Sequence, residues 1–368
     1  MAGAARRDHV DLMRTAVFSI ISPNYRHYAR VLMSSVRQHH PEWSRFVLLV
    51  GDPDRDEESF TTVPLEALPL PNPRRFCFRY TLLELNTAVK PWMFEHLFER
   101  GYDRVLYFDP DIFVYSPLAE IDASPPETFL TLTPHLTGCI AGDDHPSERS
   151  ILLAGAFNLG FLAVSRRPQL ARFLSWWQEK LEFRCLVEPE RGYFVDQKWM
   201  DLAPGLFPGV TILRHDGYNV AYWNLGQRTV EKFTVNGQPL RFFHFSGVNP
   251  SRPDMVSTHA IKQRIDDIGD ARNLIEEYCV AVRAAGYESF KNAPYPFGAF
   301  ADGTPLPDVV RFAYRNSPAL QSASGSDPFQ HPAHFRELLA AKRGRLARLL
   351  PNTLRTAMRG LVMGTTQR

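Results

Sequence analysis

Two aspartates one residue apart, Asp109 and Asp111 in Asp109-Pro110-Asp111, are the side chains of this sequence whose type and spacing best suit a divalent cation. The triplet alone is weak evidence, because Asp52-Pro53-Asp54 and Asp54-Arg55-Asp56 repeat it within the charged run from Asp52 to Glu58, which has the composition of a solvated loop. Asp109-Pro110-Asp111 differs in its flanks, Val105-Leu106-Tyr107-Phe108 before it and Ile112-Phe113-Val114-Tyr115 after it. Carboxylates at the end of a buried strand are costly to desolvate unless a cation meets them. Alternate residues of an extended triplet point to opposite faces, so one aspartate is expected to bind a metal directly and the other through water or the ligand.

The elements that must position this pair are legible from apolar periodicity. Ala16 to Ile21 reads as a buried strand ending at the turn Ser22-Pro23-Asn24, and a helix is expected from Tyr25, with Tyr28, Val31, Leu32 and Val36 on one face. Phe46 to Val50 is a second strand, so the chain opens as strand, helix, strand, the start of a parallel sheet. Thr81 to Arg100 is helical in pattern, broken at Lys90-Pro91-Trp92 and ended by Gly101. Arg104 to Phe108 then runs as a strand into the acidic pair. Further strands are expected at 129–133, 157–164, 211–213 and 241–245, and helices at 169–183 and 260–285. The C-terminal edge of a parallel sheet is where such folds bind ligands.

With these elements in place, four segments in order carry a family resemblance. They are Leu85-Asn86-Thr87-Ala88-Val89-Lys90-Pro91-Trp92 with Tyr107-Phe108-Asp109-Pro110-Asp111, then Phe157-Asn158-Leu159-Gly160-Phe161, then Asp196-Gln197-Lys198-Trp199, then His244-Phe245-Ser246-Gly247. Over roughly residues 15–250 the chain resembles bacterial GT-A-fold glycosyltransferases related to family 8. That resemblance implies an α/β fold, a Rossmann-like mixed sheet flanked by helices, with an appended mainly helical C-terminal lobe. It implies that Asp109, Asp111 and His244 ligate a cation, usually manganese, with magnesium the alternative; carboxylates and an imidazole suit that choice. The ion would bridge the phosphates of a nucleotide-sugar, most simply a UDP-sugar. Ser22, Asn24, Tyr25, Lys90, Phe108, Asp109, Ser246 and Gly247 would meet that donor, and Tyr25 could stack on its base. Asn158 would hydrogen-bond the donor sugar, and Asp196 and Gln197 would sit beside the anomeric carbon as the catalytic residues. Small residues at Ser246-Gly247 would let a diphosphate approach the backbone. The family pattern then calls for a phosphate-binding lysine, where this chain reads Gly247-Val248-Asn249-Pro250-Ser251-Arg252; Arg252 or Lys90 would have to supply that charge. Relatives retain anomeric configuration, so transfer to a glycan or lipid-linked acceptor in cell-surface polysaccharide assembly is expected with retention. The polar loop from Thr133 to Arg149, with His135 and Asp143, is the candidate acceptor contact.

Bulk properties narrow the alternatives. A formal charge of +2 over 368 residues implies no nucleic-acid partner. The cysteines Cys77, Cys139, Cys185 and Cys279 are widely spaced and fit neither a zinc site nor a disulfide framework. With no apolar N-terminal core, the expected location is the cytoplasm. The division expected is a leader at 1–14, the catalytic domain at 15–254, a helical lobe at 255–316, and a linker with a basic tail at 317–368. From His331 onward eight basic residues stand against Glu337 alone. Residues 336–368 therefore read either as a helix lying on an anionic membrane at its inner face or as a solvated tail. Oligomeric state is not readable. Two other functions share these features: a metal-dependent sugar nucleotidyltransferase, which should carry a Gly-rich basic loop where this chain has Ser22-Pro23-Asn24-Tyr25, and a non-catalytic sugar-binding protein.

Overall fold

The computed structural model describes residues 13–51, 58–140, 146–260 and 262–335. The first strand, β1 (Thr15–Ile21), is apolar, largely β-branched and aromatic, and buried along its length. Its faces feed different cores: Ala16, Phe18 and Ile20 join one apolar cluster, Val17 and Ile21 another. A strand buried on both faces needs cover on each side, which is why the sheet is sandwiched by helices. The strands β2 (Ser44–Leu49), β3 (Thr61–Pro64), β4 (Arg104–Phe108), β5 (Ile112–Val114), β6 (Leu130–Pro134) and β7 (Phe157–Ser165) follow. The main sheet has seven strands in the order Val210–Ile212, β6, β7, β4, β1, β2, β3. β7 runs antiparallel to both its neighbours and the other pairs are parallel, so the expected mixed sheet flanked by helices is the one observed.

The order of the sheet creates the crevice. From β1 the chain crosses through α1 (Arg26–His39) to β2 on one side, while β4 takes the other side of β1. The β1/β4 register pairs Phe18 with Tyr107, which sets the chain leaving β1 at Ser22 beside the chain leaving β4 at Asp109. Ligands of open α/β sheets bind at such a reversal. β5 does not extend β4; it pairs antiparallel with the strand Phe242–His244, with His244 opposite Ile112.

The helices α2 (Pro73–Arg79), α3 (Leu82–Ala88) and α4 (Lys90–Glu99) cover one face. α3 starts in a capping box between Thr81 and Glu84, and α4 starts with Pro91 in its first turn, where a missing N–H costs nothing; the break read at Lys90-Pro91-Trp92 is this junction. The helix expected at 260–285 spans Ala271–Ala284 instead, because Ile265–Asp267 forms a 3-10 turn and Gly269 takes φ +56°. It packs Tyr278, Cys279 and Val282 into a third cluster beside Phe243 and Phe245. Residues 297–335 go to the opposite face, where Phe78 meets Phe300, Tyr314, Phe329 and Phe335. Polar composition from Ser317 to Pro328 suggests a linker, yet this stretch is folded: Ser317 caps the helix Pro318–Ala323, and Arg75 Nε donates to the Gly325 carbonyl at 2.7 Å. Most of the leader, the rival triplets between Asp52 and Asp56, Asp143 with its neighbours Asp144 and His145, and the basic tail at 336–368 lie outside the described residues. No helix among the described residues is long and apolar enough to cross a membrane. The four cysteines are free.

Candidate active site

Asp109-Pro110-Asp111 is a turn and not the extended segment that would send its carboxylates to opposite faces; the Ile112 N–H donates to the Asp109 carbonyl at 3.2 Å. The turn delivers both carboxylates to one side. There His244 Nε2 lies 3.1 Å from Asp111 Oδ1 and 3.6 Å from Asp109 Oδ2. His244 is carried to this position by the β5 pairing and by the Phe245 N–H, which donates to the Asp111 carbonyl at 2.8 Å. The three candidate ligand atoms all fall within 4.8 Å of one another. Around a six-coordinate ion with bonds of about 2.1 Å, neighbouring ligand atoms are about 3 Å apart and opposite ones about 4.2 Å. The separations from His244 lie in that span, so the donor set fits one shared cation.

The residues behind the ligands support the same use. His244 Nδ1 is 3.2 Å from Asn219 Oδ1, while Asn219 Nδ2 donates to Thr133 Oγ1 and Asn158 Oδ1, both at 3.0 Å. Those two bonds fix the amide's orientation, so its oxygen faces the ring, Nδ1 carries a hydrogen, and Nε2 is turned to the carboxylates. Tyr107 donates its hydroxyl to Asp109 Oδ1 at 2.5 Å and leaves Oδ2 toward His244; burial, with Asp109 beside it, pushes the phenol up and keeps it a donor. Gly160 makes room: a Cβ there would stand 2.4 Å from His244 Cε1, and its carbonyl accepts the Asp109 N–H at 2.7 Å. Gly160→Ala is therefore expected to displace the ring and weaken manganese binding by about ten- to a hundredfold, the range typical of lost support behind a ligand, as read by calorimetric titration.

Acidity should act on the same three residues. Burial disfavours a charged His244, but Asp111 and Asp109 outweigh it and raise its pKa above 6.5. Sign follows directly: in the metal-free protein this group adds stability below pH 6.5 that is lost as pH rises through the folded-state value, whereas a cation needs the ring neutral. The rise in Tm on adding manganese is thus expected to be larger at pH 8 than at pH 6, measured by thermal denaturation with and without the ion.

Behind the ligands the sequence-read residues form a connected polar network. Asn158 Nδ2 lies 3.2 Å from His135 Nε2 and 3.3 Å from Gln197 Oε1, and Asn158 Oδ1 accepts the Gly160 N–H at 3.0 Å. The Gln197 amide also accepts from Leu159 N–H at 3.1 Å and donates to the Ala154 carbonyl at 3.0 Å. Asp196 is buried and its Oδ2 sits 2.6 Å from Lys90 Nζ, which also donates to the Leu159 carbonyl at 2.9 Å and lies over the Tyr107 ring. Burial raises the Asp196 pKa despite that ammonium. Lys90 is thus engaged with Asp196 and is no free cation for a phosphate. His135, read as an acceptor contact, is 4% exposed and belongs to this interior network; burial lowers its pKa to about 4, and its ring meets Trp223 edge-on. Trp223 also stands edge-on to His244.

The remaining positions divide. Ser22 donates to Asn24 Oδ1 at 2.6 Å, closing the turn after β1, and Tyr25 is 39% exposed at its end, its phenol pushed up by burial and by Asp111 and Asp109. Phe108 is displaced from the expected role: its ring is wholly buried against Phe161 and Phe242, leaving only its main chain near the site. Gly247 also has a different use. A Cβ there would stand 2.5 Å from Ser257 Oγ and 2.8 Å from Thr258 Oγ1, so the close approach it permits is that of the chain's own segment, whose Ser257 hydroxyl donates to the Ser246 carbonyl at 2.8 Å. Arg252 pairs with exposed Asp254 at 2.8 Å. Tyr107, Gly160, Asn219 and Trp223 were not read as site residues. Tyr107 shares a strand face with Asp109 and Gly160 interrupts an apolar strand, two usable signals; Asn219 and Trp223 carried none.

No family model matches the chain. Among curated proteins it is similar to uncharacterized protein YfnF of Bacillus subtilis (strain 168), 31% identical over 169 residues, covering 44% of this chain and 53% of YfnF. It is also 28% identical over 254 residues to uncharacterized protein YfnD of the same organism, covering 64% of this chain and 78% of YfnD. The match to YfnF thus spans about half of that protein's length. Among solved structures, the galactosyltransferase LgtC in complex with donor and acceptor sugar analogues is similar at 18% identity and a TM-score of 0.42, covering 72% of this chain and 95% of that one. The apo form of the glycosyltransferase GlyE of Streptococcus pneumoniae TIGR4 is similar at 16% identity and a TM-score of 0.43, covering 78% and 66%. Both are glycosyltransferases. At such overlaps the likeness assigns no residue its role.

Proposed function

We propose that the chain is a metal-dependent glycosyltransferase that moves a sugar from a nucleotide-sugar, most simply a UDP-sugar, to a glycan or lipid-linked acceptor in polysaccharide assembly. One observation carries the reading: Asp109, Asp111 and His244 converge beside the crevice between β1 and β4, with the histidine's tautomer set by Asn219. A divalent cation bound there, manganese or magnesium, would neutralise the charge that develops on a departing diphosphate, so no separate general acid is needed.

The chain's own residues take the other parts. Tyr25 offers an aromatic face to the base at the rim of the crevice, and the Asn158–Gln197 pair borders the sugar. Asp196, held at 2.6 Å by Lys90, is shielded from water, which suits a carboxylate that stabilises positive character at an anomeric carbon better than one that activates a water. Gln197 spends both ends of its amide on the protein, so it positions Asn158 and Leu159 unless the donor displaces those bonds. Retention of configuration is the expected outcome. The deciding experiment is a thermal-shift panel of nucleotide-sugars with and without manganese, followed by anomer analysis of the product. Stabilisation by one nucleotide-sugar only in the presence of the ion supports the reading; stabilisation by none, or by nucleoside triphosphate and sugar phosphate instead, overturns it.

A further inference from the structure

A second cavity, of about 510 Å³, opens between the C-terminal end of α1, the helix Ala271–Ala284, β5 and the short hairpin around Phe233. β5 connects it to the acidic pair: Phe113 and Tyr115 line it, two and four residues past Asp111, or roughly 7 to 13 Å of extended chain. Its lining combines an aromatic wall with the polar side chains of Gln38, His39 and Glu277. Phe113 and Tyr115 lie with ring centroids 4.8 Å apart, and Tyr115 and Phe233 6.0 Å apart. Phe233 is 60% exposed at the hairpin tip, its ring extending the aromatic wall beyond Tyr115. Gln38 and Glu277 are exposed at the edge, His39 also lines the cavity with its pKa lowered by burial, and no lysine or arginine lines it among the described residues.

Tyr278 lines the same cavity and is 2% exposed, yet its hydroxyl has no hydrogen-bond partner among the described residues. Its ring is fixed by stacking on Phe245 at 3.9 Å and 6°, so it is not placed there by a loose fit. Buried phenols are normally paired; this hydroxyl is itself enclosed, so a bound molecule would meet the exposed groups of the wall.

We infer that this cavity is a second binding site, for a neutral saccharide. Sugars present apolar C–H faces that lie on aromatic rings and hydroxyls that both donate and accept, which matches the Phe113, Tyr115 and Phe233 wall with the Glu277 carboxylate, the Gln38 amide and the His39 imidazole beside it. Glu277, the absence of a lysine or arginine among the described lining residues, and the lowered pKa of His39 disfavour phosphates and anionic lipid. The site takes a stretch of glycan away from the reacting end and holds it against the domain; naming a glycan as its source rests on the transferase reading, but binding itself does not.

The test separates the two. Saturation-transfer NMR and calorimetry are run on the full chain in EDTA, without nucleotide-sugar, against linear gluco-, galacto-, manno- and rhamno-oligosaccharides of two to six units. Binding of at least one of them is expected, weakened at least tenfold by Phe233→Ala and severalfold by Glu277→Ala, which removes the carboxylate at the edge of the wall. Far-UV circular dichroism and Tm confirm that both variants fold. No binding by the unmodified protein, or binding that both folded variants retain in full, overturns the inference. So does a concentration-dependent dimer that Phe233→Ala dissolves while no oligosaccharide binds, since a second copy would then be the occupant. Failure of the manganese-dependent donor panel with oligosaccharide binding intact would sink the transferase reading and leave this site standing.

Discussion

Asp111→Asn is expected to lower turnover of the matching nucleotide-sugar by at least about a thousandfold and to abolish the thermal stabilisation by manganese. Asparagine keeps the shape of the side chain but removes the charge that faces His244 Nε2 at 3.1 Å. A bound cation supplies several kcal/mol of charge stabilisation to a departing diphosphate, and about 4 kcal/mol corresponds to a thousandfold in rate. The fold should survive, because the contact that docks the Phe242–His244 strand here is made by the Asp111 carbonyl, which the substitution leaves in place. Asp109→Asn should act in the same direction, its amide oxygen still able to accept from Tyr107. Steady-state kinetics with a manganese titration checks both. Turnover within tenfold of the parent for either variant would remove the acidic pair from the reaction.

The largest expected effect on stability is at Lys90. Lys90 Nζ and Asp196 Oδ2 are 2.6 Å apart with side chains 1% and 2% exposed, so neither charge has water to fall back on. Lys90→Met leaves Asp196 buried without its counter-charge, which typically costs about 3–5 kcal/mol. The Leu159 carbonyl also loses a donor. A well-packed apolar pair is often no worse than a buried ion pair, so Lys90→Met combined with Asp196→Leu is expected to recover most of the lost stability while remaining inactive. Denaturant unfolding of the three variants checks the stability, and turnover of the double variant checks the separation. If the double variant regains both stability and activity, Asp196 has no part in the chemistry.

Part of this architecture was open to reading from pattern, and part was not. The strand before the acidic pair, the α3/α4 junction at Pro91 and the alternation that splits β1 between two cores all follow from local periodicity and from proline's missing N–H. The start of the helix Ala271–Ala284 did not, since apolar spacing from Ala260 onward is compatible with a helix, and the 3-10 turn at Ile265–Asp267 with the conformation of Gly269 ends that possibility. Polar composition hid the packing of residues 317–335, because two rings, Phe329 and Phe335, carry the contact with Phe78 while most residues around them are exposed or half-buried.

At the site the division is sharper. By itself the sequence determined the residue types that can hold a cation and the strand that runs into Asp109, since these depend on side-chain chemistry and on neighbours a few positions away. Tertiary structure alone decided that Asp109 and Asp111 face the same way, because that depends on a turn whose closing bond is made in the folded chain. It also decided that Asn219 sets the His244 tautomer, that Lys90 is committed to Asp196, and that the space beside Gly247 is taken by Ser257 and Thr258. Each of these joins groups distant along the chain, and a one-dimensional pattern holds no information on which of them a sheet register will set side by side.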